Sequence, residues 1–172
     1  TANVDIAEGF TISGAGDGNG ALRKGAAGPT TESGPITLAA DSTIGVDGGA
    51  TLTVSNTIGG RFALTAVGGG TLNLVNNSTL NGFTLNGAIV NVGTQGALGG
   101  GPVVVSGAGR FVLVDGMTFT NAITANSVSP GAVTGLIMVN DNSNNIVTTV
   151  TGPLTFNATA ANGNDFYGPL TA

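Results

Sequence analysis

The side chains in this sequence that could do chemistry are acids: Asp5, Glu8, Asp17, Glu32, Asp41, Asp47, Asp115, Asp141 and Asp165. Cleaving a glycosidic bond would need two of them held about 5–10 Å apart, and stacking distant segments is one way to bring such a pair together. The chain has no histidine and no cysteine. That removes the base of a serine triad, the thiolate nucleophile and the usual nitrogen and sulfur ligands of zinc or copper. Most of the acids stand beside Gly, Ser or Asn, where an aspartate caps a turn, so the expectation is turn residues and no catalytic or cofactor-binding site. Calcium prefers hard oxygen ligands. The candidates for it are Asp17 in Asp17-Gly18-Asn19-Gly20 and Asp141 in Asn140-Asp141-Asn142. Neither stretch carries the distal glutamate of an EF-hand loop, and a plain turn is the favoured reading of both. The glycines of residues 14–20 are not followed by Gly-Lys-Ser/Thr, so they read as a corner and not as a phosphate loop.

Whatever positions these acids is built from an unusual composition. Only 8% of the 172 residues are charged, against roughly 25% in ordinary domains. Hydrophobic residues reach 41% and glycine takes 31 positions, so the chain has enough apolar mass for a core. Net charge is −5, and the four cations, Arg23, Lys24, Arg61 and Arg110, are scattered. A nucleic-acid surface needs its cations clustered, so that partner is excluded. No apolar run approaches the ~18 residues of a helical membrane span.

Strand-length runs punctuated by Gly, Asn and Asp recur from end to end. They fall at residues 10–13, 36–39, 42–46, 50–55, 61–67, 71–75, 78–80, 82–85, 88–92, 102–106, 110–114, 117–124, 136–139, 145–150 and 154–157. Thr51-Leu52-Thr53-Val54, Thr71-Leu72-Asn73-Leu74 and Phe111-Val112-Leu113-Val114 alternate with period two, the mark of a strand buried on one face. No window sustains a helical period. The recurring Thr/Leu strand with glycine-rich corners predicts a repeat fold. The expected architecture is all-β: a right-handed parallel β-helix with about three short strands per coil of roughly 20–25 residues. Residues 34–125 form the clearest repeat region, residues 1–33 a less regular coil or long loop, and residues 126–172 looser coils with projecting loops near 126–135 and 140–145. An antiparallel sandwich is the competing architecture. Asn73, Asn86 and Asn91 are expected to stack as a hydrogen-bonded ladder.

Within residues 68–105 the sequence resembles the passenger-associated repeats of bacterial autotransporters. Gly69-Gly70-Thr71-Leu72-Asn73-Leu74 matches their opening strand, and Asn77, Gly82, Thr84, Asn86, Val92 and Gly93 match the middle. The closing corner and strand are matched by Gly96-Ala97-Leu98-Gly99-Gly100-Gly101-Pro102-Val103-Val104-Val105, while Thr79 stands where the repeats carry tyrosine. Gly34-Pro35-Ile36-Thr37-Leu38 and Asp41-Ser42-Thr43-Ile44-Gly45 resemble the segment that commonly precedes the repeat. The resemblance implies a right-handed parallel β-helix, a place outside the cell at a bacterial surface, and a role in passage through or presentation at the outer membrane. The expected function is therefore a non-catalytic structural or adhesive scaffold. It would associate end to end with its own kind or continue into flanking coils, and a glycan or host surface is its expected ligand. A carbohydrate-binding or polysaccharide-cleaving β-helix is the alternative. Phe83, Phe119, Phe166 and Tyr167 are the aromatic side chains available to its groove.

Overall fold

Alternating Thr and Leu, Val or Ile can satisfy its backbone only by pairing with neighbouring strands, and can bury one face only by enclosing it. The chain does both by winding. The computed structural model describes residues 3–114, 116–126, 137–140, 148–157 and 166–167. Its strands are β1 (Val4–Ile6), β2 (Phe10–Gly14), β3 (Leu22–Lys24), β4 (Gly28–Glu32), β5 (Ile36–Val46), β6 (Ala50–Val54), β7 (Ile58–Gly59), β8 (Ala63–Val67), β9 (Thr71–Leu74) and β10 (Gly82–Asn86). They continue with β11 (Ile89–Val92), β12 (Val103–Ser106), β13 (Arg110–Val114), β14 (Thr118–Phe119), β15 (Ile123–Ala125), β16 (Ile137–Asn140), β17 (Thr149–Val150), β18 (Leu154–Phe156) and β19 (Phe166–Tyr167). No helix occurs among the described residues.

One sheet of eight strands runs β1-β4-β6-β9-β11-β13-β16-β19. A second, of nine, runs β18-β15-β12-β10-β8-β5-β2 with β3 and β7 attached to β5, and β14 pairs with β17. Neighbouring strands in both sheets are parallel, with partners one coil away in sequence. A hairpin-built sandwich would pair sequence neighbours antiparallel. The molecule is a parallel β-solenoid.

The core is a set of stacked columns. In the eight-stranded sheet Leu52, Leu72, Val90 and Phe111 stand in register, and beside them Val54, Leu74, Val92 and Leu113. The other sheet contributes Leu64, Phe83, Val103 and Ile123, flanked by Ala66, Leu85, Val105 and Ala125. All of these are buried. Phe111 meets Phe119 across the interior edge to face, with ring centroids 6.1 Å apart. A coil alone would leave its Leu and Val half-wet, so stability lies in the stacking.

The expected coil of 20–25 residues holds only in part. The step is 20 residues from Thr53 to Asn73, 18 from Asn73 to Asn91 and 31 from Asn126 to Asn157. Several boundaries also move. Runs 36–39 and 42–46 merge into one strand, β5, whose pairing with β2 shifts register between Leu38 and Ser42. Run 117–124 divides into β14 and β15. Run 78–80 is not a strand. It is a corner held by Thr79 N–H donating to Ile58 O at 2.9 Å, and Leu80 drops into the core. Residues 22–32, expected as loop or weak coil, supply β3 and β4. The projecting loops expected near 126–135 and 140–145 lie, apart from Asn126 and Asn140, outside the described residues.

Candidate functional site

The outward face of the eight-stranded sheet carries polar side chains in regular columns. Strand alternation sends Thr31, Thr53, Asn73 and Asn91 outward in one column, in register from coil to coil. Pro29, Thr51, Thr71 and Ile89 form the column beside it. Neighbouring strands place these groups about 4.7–4.9 Å apart across the ladder, and about 6.5 Å apart along each strand. Asn73 Nδ2 donates to Thr53 Oγ1 at 3.0 Å, and Asn91 Nδ2 donates to Asn73 Oδ1 at 2.8 Å. At the far end Asn3 Nδ2 donates to Thr31 Oγ1 at 3.0 Å. The expected ladder therefore forms at Asn73 and Asn91. Asn86 is not part of it, because β10 belongs to the other sheet, where Asn86 aligns with Val67 and Ser106. From Pro29 to Asn91 these two columns carry no charge.

Breaking the ladder has a predictable effect. Asn73→Ala removes two half-exposed hydrogen bonds that water can replace in part, so the loss is about 1 kcal/mol in urea unfolding. Asn73→Thr restores the pattern of Thr31 and Thr53 and gives up less than the alanine.

Corner asparagines stitch coils on the opposite side. Asn121, buried, donates from Nδ2 to Gly99 O at 3.1 Å and Gly101 O at 2.7 Å. Asn56 Nδ2 donates to Ser33 O at 2.9 Å. Sequence alone does not single these residues out. Their only signal is an Asn two residues before the buried Ile58 and Ile123.

Among the described residues the acids sit in different settings. Asp17 caps an exposed turn, its Oδ1 accepting from Asn19 N–H at 3.0 Å, and this bond holds its carboxyl below the usual range. Arg23 adds a smaller pull in the same direction. The Asp17 carboxylate thus has a backbone partner in its own turn. Asp41 Oδ1 caps the next coil, accepting from Ala63 N–H at 2.8 Å. Asp47 pairs side-on with Arg23 of the preceding coil, Nε to Oδ1 at 3.1 Å and Nη2 to Oδ2 at 2.7 Å. That pair is exposed, and its contribution is small. Glu32 departs from the expectation of a turn residue: it is 1% exposed and faces the core. No three acids among the described residues come close enough to share a metal ion. Asp115, Asp141 and Asp165 lie outside the described residues.

Two of the four groove aromatics lie where they cannot line an open surface. Phe83 and Phe119 are core residues. Of Phe166 and Tyr167 only the backbone, as β19, is described. Among the described residues Phe62 and Phe156 are half-exposed. Phe62 follows Arg61, which adopts a left-handed φ of 54° at an outer corner.

These features define a parallel β-solenoid with a neutral threonine and asparagine face. Comparison with protein-family models, curated proteins and solved structures finds no match for this chain.

Proposed function

We propose that this chain is a non-catalytic extracellular scaffold, a β-helical passenger or filament-forming element of a bacterial surface protein. The observation that carries the reading is the parallel ladder, coil on coil, with a largely apolar interior and, from Pro29 to Asn91 on the eight-stranded sheet, an uncharged hydroxyl and amide face. Such a stack is stiff because each coil is paired to the coil before and the coil after. The resemblance of residues 68–105 to autotransporter passenger repeats points to the same role and to the cell surface. The outer edge of β1 pairs with no strand among the described residues, and an unpaired strand edge is a template for another chain. Such an edge is compatible with end-to-end association with a second copy or with continuation into a flanking coil.

Sedimentation velocity over a wide concentration range tests it. The expected result is reversible association that grows with concentration, without turnover of any polysaccharide in a lyase and hydrolase screen. A chain that stays monomeric at high concentration, or one that cleaves a glycan, overturns the reading.

A second reading, carbohydrate binding without cleavage, draws on the neutral Thr and Asn columns and the half-exposed Phe62. A flat face bearing regularly spaced hydroxyl and amide groups suits a flat, hydroxyl-rich ligand. Binding on a glycan array that is lost in Thr51→Lys/Thr71→Lys would favour it over a purely structural role.

A further inference from the structure

Glu32 closes β4 with its side chain in an inward column, between Ile6 of β1 and Val54 of β6. Leu74, Val92 and Leu113 continue that column, so an acid occupies a place that aliphatic residues fill in the coils beyond. It is the one ionisable residue among the buried side chains of the described chain. Its carboxyl accepts a hydrogen bond from Gly34 N–H, at 2.9 Å to Oε1. The same N–H also reaches Ile6 O at 3.4 Å, beside the bond from Ser33 N–H to Ile6 O at 2.8 Å. The carboxyl therefore sits at the seam joining the first coil to the second.

Among the described residues no cation faces it. β1 brings Asp5 and the turn after it brings Glu8, both acids, while β6 brings no titratable group. The only acid of β5, Asp41, is engaged by Ala63. Arg23 is held by Asp47, and Lys24 Nζ donates to Ala26 O. Val4 is 57% exposed, and among the described residues β1 has a strand on one side only.

We infer that Glu32 makes docking of the first coil pH-dependent, firm when its carboxyl is protonated and loose when it is ionised. Burial pushes the Glu32 carboxyl above the ordinary glutamate range, and Asp5 adds to the rise, outweighing the Gly34 bond. A carboxyl raised on folding stabilises the folded state fully below its unfolded value. That advantage is lost as pH climbs through the folded value. The first coil is thus tightest in mildly acidic solution and loosens toward neutrality, opposite to the usual behaviour of a surface carboxylate. This switch belongs to one seam of the fold and operates whichever role the scaffold has.

The test is amide hydrogen exchange on the full chain at pH 5 and pH 8, as protection factors corrected for intrinsic rates. Ser33, whose amide binds Ile6 O, reports the seam, and Gly93, whose amide binds Leu74 O, is the internal reference. Protection at Ser33 relative to Gly93 is expected to be measurably lower at pH 8 than at pH 5, because the raised carboxyl loses its proton over that interval. In Glu32→Gln the fall disappears. Glu32→Val, which extends the aliphatic column, is expected to protect Ser33 equally at both pH values. Carboxyl carbon NMR of the unmutated chain gives a readout independent of either variant's folding. Equal Ser33 protection at the two pH values, a fall that persists in Glu32→Gln, or a Glu32 carboxyl titrating in the ordinary range each overturns the inference.

Discussion

Leu72→Asp is expected to abolish cooperative folding at neutral pH, while Thr71→Asp, one residue away, leaves the fold standing. Leu72 is fully buried between Leu52 and Val90, in the middle of the longest regular stretch of the stack. The column around it is aliphatic and offers a carboxylate no cation, and burying a charge unpaired costs several kcal/mol. A domain of this size has about 5–15 kcal/mol to lose. Deleting the leucine packing adds about 3 kcal/mol more, by analogy with leucine-to-alanine changes. Thr71 points outward between Thr51 and Ile89 and is half-exposed, so an aspartate there costs at most about 1 kcal/mol of strand preference. Far-UV circular dichroism and urea unfolding separate the two variants at once. Acid should partly restore Leu72→Asp, because a buried carboxyl is raised and its penalty falls as pH drops toward the ordinary carboxylate range. A cooperative transition in Leu72→Asp matching the unmutated chain would mean that these columns do not form the core.

That contrast between adjacent residues is legible in the sequence. Thr71-Leu72-Asn73-Leu74 alternates, and period two means one dry face wherever the strand goes. The parallel order is legible too, from the recurrence of one strand type with glycine corners in place of hairpin signals. Local pattern cannot place what depends on register between coils. Ile36–Val46 looks like two strands because Ala39-Ala40-Asp41 interrupts the alternation. It forms one strand because β2, β3, β7 and β8 line up along it. Residues 78–80 look like a strand but turn a corner, since the coil at Asn73 to Asn91 is only 18 residues long and leaves little chain for a third side.

Glu32 is the sharpest case. Thr30-Thr31-Glu32-Ser33-Gly34 reads as a polar turn, and every neighbour in sequence supports that reading. Only alignment with Ile6 and Val54, distant in sequence, turns the side chain inward. The ladder shows the same limit: Asn73, Asn86 and Asn91 are equally good ladder residues by type, and sheet membership alone removes Asn86. A calcium ligand at Asp17 is suggested by oxygen-rich composition alone. In the structure one oxygen of that carboxylate accepts from Asn19 N–H in its own turn.

Corner geometry gives the other large effect. Gly68 stands at φ +99°, and a Cβ there would run into the backbone of Val46 in the coil below. The neighbouring bond from Gly70 N–H to Val46 O, 2.9 Å, fixes how closely the two coils approach. Gly68→Ala must therefore adopt a left-handed backbone, costing about 1–3 kcal/mol, and must also push two coils apart at a point where they are pinned. The displaced coils lose contacts in the Leu52 and Leu72 column beside the corner, so the total exceeds the conformational cost alone. Gly48 lies in the preceding corner, where φ is not left-handed and a methyl group would meet no atom within 4 Å. There the same change only narrows the unfolded ensemble, and Gly48→Ala is expected to be neutral or to stabilise by about 0.4–1 kcal/mol. Two glycine-to-alanine changes in successive corners thus move urea midpoints in opposite directions, or one moves sharply down while the other holds. Equal losses at both would show that coil spacing is not set by contact at the corners, and the stack would have to be held by its columns alone.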